Sequence, residues 1–283
     1  MAKLNTNELF YKYAYKFLID HTQGVIDEKS IRSYLTVSAP ELSCKKMSDV
    51  FCRMLLSAQN RQMSRNVIGG SIGGVENLAK VLRNFDARYV SSVYLNKETE
   101  LLKVIQREFS LGDKINIDEK SLWFQYCKTI VSVANFLSPF NNYKEFLQWI
   151  RVFYNDEKSA AALPLIISEE VFGFGFALAC DFLKELGFEN YGKPDVHVKE
   201  ILSAYNFISE TASDYSVLKT MIQMSKDAKV SCYELDKVLW LIGSGKFYNH
   251  PNLGKNGFVG KMKSEFIKQV PDFLFRKKIN TPA

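Results

Sequence analysis

LPLIISEEVFGFGFALACDFLKELGFENYGKPDVHVKEIL, Leu163 to Leu202, is the stretch whose reading decides the fold. It reads as a helix, a tight turn at Gly173-Phe174-Gly175, and a second helix with apolar residues at Ala179, Phe182, Leu183 and Leu186. Spacings of three, four and seven place those four on one helical face. Gly187 stands where a glycine ends a helix, and a short loop then reaches Pro194-Asp195. A third helix is expected from there, with Val196, Ile201 and Leu202 supplying its apolar positions. Glycines in the G-F-G turn let another backbone come close. The unpaired N–H groups that open the second helix suit an anion.

Asp195 fits two roles. An aspartate after a proline is a common helix N-cap, and an ionised carboxylate at a helix N-terminus is favoured by the helix dipole. A second stretch sharpens the choice. Met47, Val50, Phe51, Met54, Leu55 and Ala58 share one face of a helix capped at Ser48-Asp49. That helix runs into L-L-S-A-Q-N-R-Q-M-S-R, Leu55 to Arg65.

Together these residues resemble the helix-hairpin-helix DNA glycosylases that carry an aspartate, the superfamily of endonuclease III. The hairpin matches at Gly173, Gly175 and Ala179, and K-P-D-V-H-V matches at Asp195, Val196 and His197. Asp195 follows Ala177 by eighteen residues, the family's gap between its hairpin active-site position and its aspartate. The L-L-S-A-Q segment matches that of the endonuclease III branch, which makes Gln59 the residue that fills the gap left by a flipped base.

The resemblance implies an all-α, two-lobed helical bundle. Residues 47–187 would form the central six-helix-barrel-like domain, 1–46 with 188–283 the second, and the active-site cleft would lie between them. It implies a base-excision-repair enzyme acting on double-stranded DNA that holds a damaged or modified base. Asp195 would be catalytic. Gln59, Asn60, Arg61, Arg65, Gly173, Gly175, Phe176, Lys193 and His197 would touch DNA, and Phe172 and Trp240 are candidates to wall the base pocket. Relatives that also cut the strand carry a lysine where this chain has Ala177. Alanine has no amine to form a Schiff base, so a monofunctional glycosylase is expected, with Lys193 the conceivable substitute amine. No cofactor is expected beyond a monovalent cation that the resemblance allows at the hairpin. The four-cysteine iron–sulfur run of some relatives lies near the C-terminus, whereas the last cysteine here is Cys232.

The bulk properties agree with an anionic partner without demanding one. The 283 residues are 47% hydrophobic and 24% charged, a globular composition, and the formal net charge is +6. Five scattered cysteines show no zinc spacing, and no metal site is expected. The first residues, MAKLNTNELF, lack a signal-peptide core and no eighteen-residue apolar run occurs. The expectation is a soluble, cytoplasmic, DNA-associated monomer.

Elsewhere the chain reads as further amphipathic helices. The aromatics of 5–21 suit a core and a surface stripe better than a base-stacking platform, and I-G-G-S-I-G-G (68–74) suits a helix junction, since no G-K-[S/T] follows. Trp123 and Trp149 fall in amphipathic patterns that fit a core better than a pocket wall. The segment from Lys246 through Lys255 to Lys263 is basic, and following a DNA backbone and being a solvated tail remain equal readings. Two other function classes stay open: a non-catalytic DNA-damage-binding module that keeps the hairpin, and a helical interaction protein without a nucleic-acid role.

Overall fold

The computed structural model describes residues 5–36, 44–61, 67–112, 118–248, 250–254 and 257–269. Arg65 and Lys255, both singled out above, lie outside the described residues. Helices account for the described architecture, and the extended pairing among the described residues is one antiparallel bridge, Lys246 with Phe258. The all-helical expectation holds. The chain divides into two compact units, one formed by Pro40–Leu186 and the other by Met1–Ala39 together with Gly187–Ala283.

The continuous unit holds α3 (Met47–Ala58), α4 (Ala87–Tyr94), α5 (Glu98–Glu108), α6 (Leu122–Leu137), α7 (Tyr143–Tyr154), α8 (Ala162–Glu170) and α9 (Phe176–Glu185). α6 is its axle, packed by α3, α4 and α5. Ser121 caps it by accepting from the Phe124 N–H at 3.2 Å, and eleven of its sixteen residues are buried. A helix apolar nearly all round belongs inside a bundle. Trp123 is buried edge-on to Tyr126 and is core, while the half-buried Trp149 packs with Phe136, Phe140, Phe146 and Phe153 in an aromatic cluster. α3 starts one residue earlier than its Ser48-Asp49 signal: Lys46 is the N-cap, and the Asp49 carboxylate reaches back to accept from the Lys45 and Lys46 N–H groups at 2.8 and 3.1 Å. Short 3-10 turns at Gly70–Ile72 and Val75–Lys80 form the glycine-rich junction.

The discontinuous unit holds α1 (Thr6–Thr22), α2 (Glu28–Leu35), α10 (Val196–Ala204), α11 (Asp214–Ala228), α12 (Cys232–Ser244) and α13 (Lys263–Lys268). Phe10 of α1 is fully buried against Tyr205, Phe207 and Phe266, which ties the first helix to the last. The Tyr11 hydroxyl donates to Glu234 of α12, and Asn7 donates to Asp227 of α11 at 2.6 Å. Of the aromatics of α1, Phe10, Tyr11 and Phe17 are core, whereas Tyr13 and Tyr15 stay half-exposed, the split between core and surface stripe that their spacing suggests. No helix among the described residues is long and apolar enough to cross a membrane.

Candidate functional site

Within the continuous unit, α8 and α9 form the hairpin, and the turn between them runs through Gly173-Phe174-Gly175. The two glycines serve different ends. Gly173 has φ +86°, and a Cβ placed there would lie 2.3 Å from the Thr129 hydroxyl oxygen of α6. Its lack of a side chain is a requirement of the fold. Gly175 is the N-cap of α9 in extended conformation, φ −82° and ψ 164°, and is exposed. A Cβ there would meet nothing within 4 Å. The space it leaves open lies outside the protein, at the turn whose N–H groups have no helix partner. Ala177 sits in that first turn, half exposed.

α6 supports the hairpin and the end of α3 alike. Ser132 accepts a hydrogen bond from the Phe172 N–H at 2.8 Å, Thr129 fills the space beneath Gly173, and the buried Tyr126 hydroxyl donates to the Leu55 carbonyl at 2.8 Å. That same carbonyl accepts the Gln59 N–H at 3.1 Å, which fixes where α3 ends. Tyr126, Thr129 and Ser132 recur every three residues, close to the helical repeat, so one face of α6 meets all three neighbours. Polar residues at that spacing on a largely apolar helix are the sequence signal for this face.

Of the loop residues, Gln59 is only 7% exposed, whereas Asn60 is exposed. The amide expected to enter a duplex is thus packed away at the C-cap, and its neighbour faces solvent. The Phe172 ring is engaged by cations: the Arg61 guanidinium carbon lies 5.4 Å from its centroid and the Lys128 ammonium 4.5 Å. Phe174 is buried edge-on to Phe182 and offers no stacking face, while Phe176 is half exposed in the first turn of α9.

Within the discontinuous unit, Asp195 is the N-cap of α10. Its Oδ1 accepts from the His197 and Val198 N–H groups at 3.0 and 3.1 Å. Oδ2 takes no hydrogen bond from any described residue. The cap is the local role its sequence suggests, and it occupies one oxygen. Val196 is 58% exposed, so it is no core position; Val198, Ile201 and Leu202 form the apolar face instead. The loop before Asp195 is seated on α11 and α12. A Cβ at Gly192 would lie 2.5 Å from the Met221 methyl and 3.2 Å from the Asp236 Cβ, and the Tyr233 N–H donates to the Glu189 carbonyl at 2.8 Å.

Burial raises the Asp195 pKa above the ordinary carboxylate value, and the charge of the nearly fully buried Asp236 raises it further. The Val198 N–H, His197 and Lys193 pull the other way and are outweighed. The low-polarity surroundings and a second carboxylate act against the helix N-terminus, which favours the charged form. Lys193 stays half exposed two residues away.

His197 packs its ring on Gly243 of α12, where an added Cβ would be 2.5 Å from the His197 Cβ. Its Nδ1 accepts from the Lys263 ammonium at 3.3 Å, and Lys263 also pairs with Glu200. Beside them lies a cavity of about 520 Å³ lined by Gly243, Ser244, Lys261, Lys263 and Lys268, so two lysines from the end of the basic segment and Lys268 of α13 share its wall. Trp240 stacks at a tilt on Tyr248, with centroids 5.7 Å apart. Among the described residues no group of three or more His, Cys, Asp or Glu side chains is placed to hold a metal ion.

No protein-family model matches the chain. It is 29% identical over 84 residues to an 8-oxoguanine DNA glycosylase/AP lyase of Korarchaeum cryptofilum, a match to 28% of this chain. The chain spans 40% of the length of that relative in the match. Its structure is similar to that of Methanocaldococcus jannaschii 8-oxoguanine glycosylase/lyase in complex with 15mer DNA containing 8-oxoguanine. The likeness has a TM-score of 0.50 at 15% identity and covers 84% of this chain and 98% of the other. The fold is therefore the all-α helix-hairpin-helix glycosylase fold.

Proposed function

We propose that this chain, built on the helix-hairpin-helix glycosylase fold, is a DNA glycosylase that releases a damaged base from duplex DNA by water attack. The observation that carries the reading is Asp195. A structural cap needs one oxygen and gains nothing from burial beside a second carboxylate. Here Oδ1 serves the cap, Oδ2 is left for a ligand, and the pKa is raised. Perturbed carboxylates of this kind mark functional positions.

Cleavage of the bond between C1′ and the base nitrogen leaves positive charge on C1′ and the sugar ring oxygen. An ionised Asp195 stabilises that charge as a fixed anion, and its elevated proton affinity makes it an effective base for the incoming water. Water supplies the new C1′–O bond, its proton leaves through the carboxylate, and the base departs with the bonding electrons. The base must first be rotated out of the helix. Gly175 and the first turn of α9 would grip the backbone, and Asn60, exposed where Gln59 is not, would enter the vacated stack.

The two similar proteins are named as glycosylase/lyases, whereas Ala177 leaves this chain without an amine at the hairpin position. Base release without strand cleavage is the expected activity. Incubation with duplexes carrying 8-oxoguanine, and then a panel of other modified bases, tests the reading, with borohydride present in a parallel reaction. Free base without a trapped adduct supports it. A trapped adduct overturns the monofunctional part and directs attention to Lys193. Tight binding of damaged duplex with no release of any base would favour a non-catalytic damage sensor.

A further inference from the structure

We propose that the paired segments 245–247 and 257–259, with Tyr248, form a stacking face for an unpaired DNA strand: the rings of Tyr248 and Phe258 take its bases and Lys246 meets its phosphate. The choice of DNA rests on the DNA-glycosylase reading, in which this face plays no part.

The two segments make a short antiparallel ribbon. The Phe247 N–H donates to the Gly257 carbonyl at 2.7 Å, and the Val259 N–H to the Gly245 carbonyl at 2.9 Å. Lys246 and Phe258 are bridged between those bonds as a non-hydrogen-bonded pair, which puts their side chains close together on one face. The Lys246 ammonium also lies 5.9 Å from the centroid of the Tyr248 ring, so this lysine joins the two aromatics. Phe247 takes the opposite face, where it is fully buried and edge-on to Tyr34 of α2. The Tyr34 hydroxyl donates to the Tyr248 carbonyl at 3.0 Å. Tyr248 and Phe258 remain 42% and 50% exposed, and among the described residues they are the only exposed aromatics.

Two features separate this face from a solvated tail. Its backbone is constrained: a Cβ at Gly257 would lie 1.7 Å from the Phe247 carbonyl oxygen, and one at Gly245 would lie 1.9 Å from that of Gly260. Both crossings therefore require glycine. It is also poor in negative charge, since no Asp or Glu occurs between Asp236 and Glu265. Lys263 is paired with Glu200, whereas Lys246 and Lys261 make no ion pair among the described residues. Rings held in water on a fixed backbone suit another flat ring, and every base offers one. The ammonium beside them then complements the phosphate of the strand. Bases in a duplex stack on one another, so the matching ligand is a strand whose bases are unpaired. The ribbon leaves α12 just past Gly243, the seat of the His197 ring, and belongs to the unit that carries Asp195.

Fluorescence anisotropy with the full-length chain compares a labelled oligothymidylate with an equally long strand of abasic analogue, which keeps every phosphate and lacks every base. The parent should bind the thymidylate more tightly. Tyr248→Ala and Phe258→Ala should each weaken thymidylate binding by about fivefold or more, the scale of one lost stack, and leave the base-free strand unaffected. Tyr248→Phe keeps the ring and should match the parent. Lys246→Ala should weaken both strands and flatten the slope of log affinity against log salt by about 0.7, the value of one single-strand phosphate contact. Val152→Ala, at an exposed apolar position of the other unit, is the control and should match the parent. Thermal melting confirms that each variant is folded, and Tyr248→Ala carries the test should Phe258→Ala not fold. Equal affinity of the parent for the two strands, or parent-like thymidylate binding by Tyr248→Ala, overturns the stacking face. Tighter binding of an equally long oligouridylate overturns its assignment to DNA. A parent that releases a damaged base from duplex but binds neither strand overturns the face and leaves the glycosylase reading standing. Strand binding that follows these variants, with no base released from any duplex, does the reverse.

Discussion

Replacing Gly173 by alanine tests whether the hairpin turn is shaped by the helix beneath it. The substitution meets two separate obstacles. A residue with a Cβ at φ +86° costs about 1–2 kcal/mol from backbone sterics alone. The new methyl then falls 2.3 Å from the Thr129 oxygen, well inside contact distance, and overpacking of this kind costs roughly 1–3 kcal/mol. The total is about 2–5 kcal/mol, which for a domain of this size corresponds to a fall of roughly 4–20 °C in melting temperature. Thr129→Ala in the same chain removes the obstructing oxygen and leaves the backbone cost. A double-mutant cycle followed by thermal unfolding should therefore show the second change rescuing about 1–3 kcal/mol, a coupling of the size found between touching residues. Losses that add without rescue would show that Gly173 does not press on α6. A Gly173→Ala chain as stable as the parent would show that the turn is not held in the left-handed region at all.

Gly175 should behave in the opposite way: Gly175→Val should leave the melting temperature nearly unchanged, since nothing lies within 4 Å of its Cβ, yet weaken binding to every duplex in a fluorescence titration. Asp195→Asn should lower single-turnover base release by about a hundredfold or more, with DNA affinity retained. The same change should also stabilise the fold. A carboxylate whose folded pKa lies above its unfolded one is a burden in its ionised form, fully felt above the folded pKa and relieved as pH falls through the folded pKa toward the unfolded one. Melting the two chains across that pH range should show Asp195→Asn gaining most on the alkaline side. Asp236→Asn removes a charge that raises the Asp195 pKa, so the acid limb of the rate–pH profile should move to lower pH; an unmoved limb would show that Asp236 does not act on the catalytic carboxylate.

What the sequence made legible was local. The hairpin glycines, the stop at Gly187 (φ +93°) and the cap at Asp195 are each decided by a few neighbouring residues, and they stand where their patterns put them. What it hid was set by partners far along the chain. Nothing near Gln59 announces that its side chain is buried, or that Tyr126 holds the Leu55 carbonyl that accepts the Gln59 N–H. Nothing near Phe174 distinguishes it from Phe172, yet one is core and the other carries two cations. The direction of the Asp195 shift is set first by burial and then by Asp236, in another helix, and neither is visible in the residues around it. Val196 failed as a core position because a residue directly after a cap turns outward when Val198 turns in.

The tie between Phe10 and Phe266 has a consequence for how the chain is made. Synthesis delivers α1 first and α13 last, with roughly 250 residues between these two rings; at about 5–20 residues per second the interval is on the order of 10–50 s. The continuous unit has all its helices, and can close, before the other has received α10. Until Tyr205, Phe207, α11 and α12 have been made, the face of α1 bearing Phe10, Phe17 and Leu18, all buried in the finished protein, lacks its main partners. On the ribosome those side chains form an adhesive surface, open to chaperones and to neighbouring nascent chains, which Phe266 of the last helix is the final residue to cover.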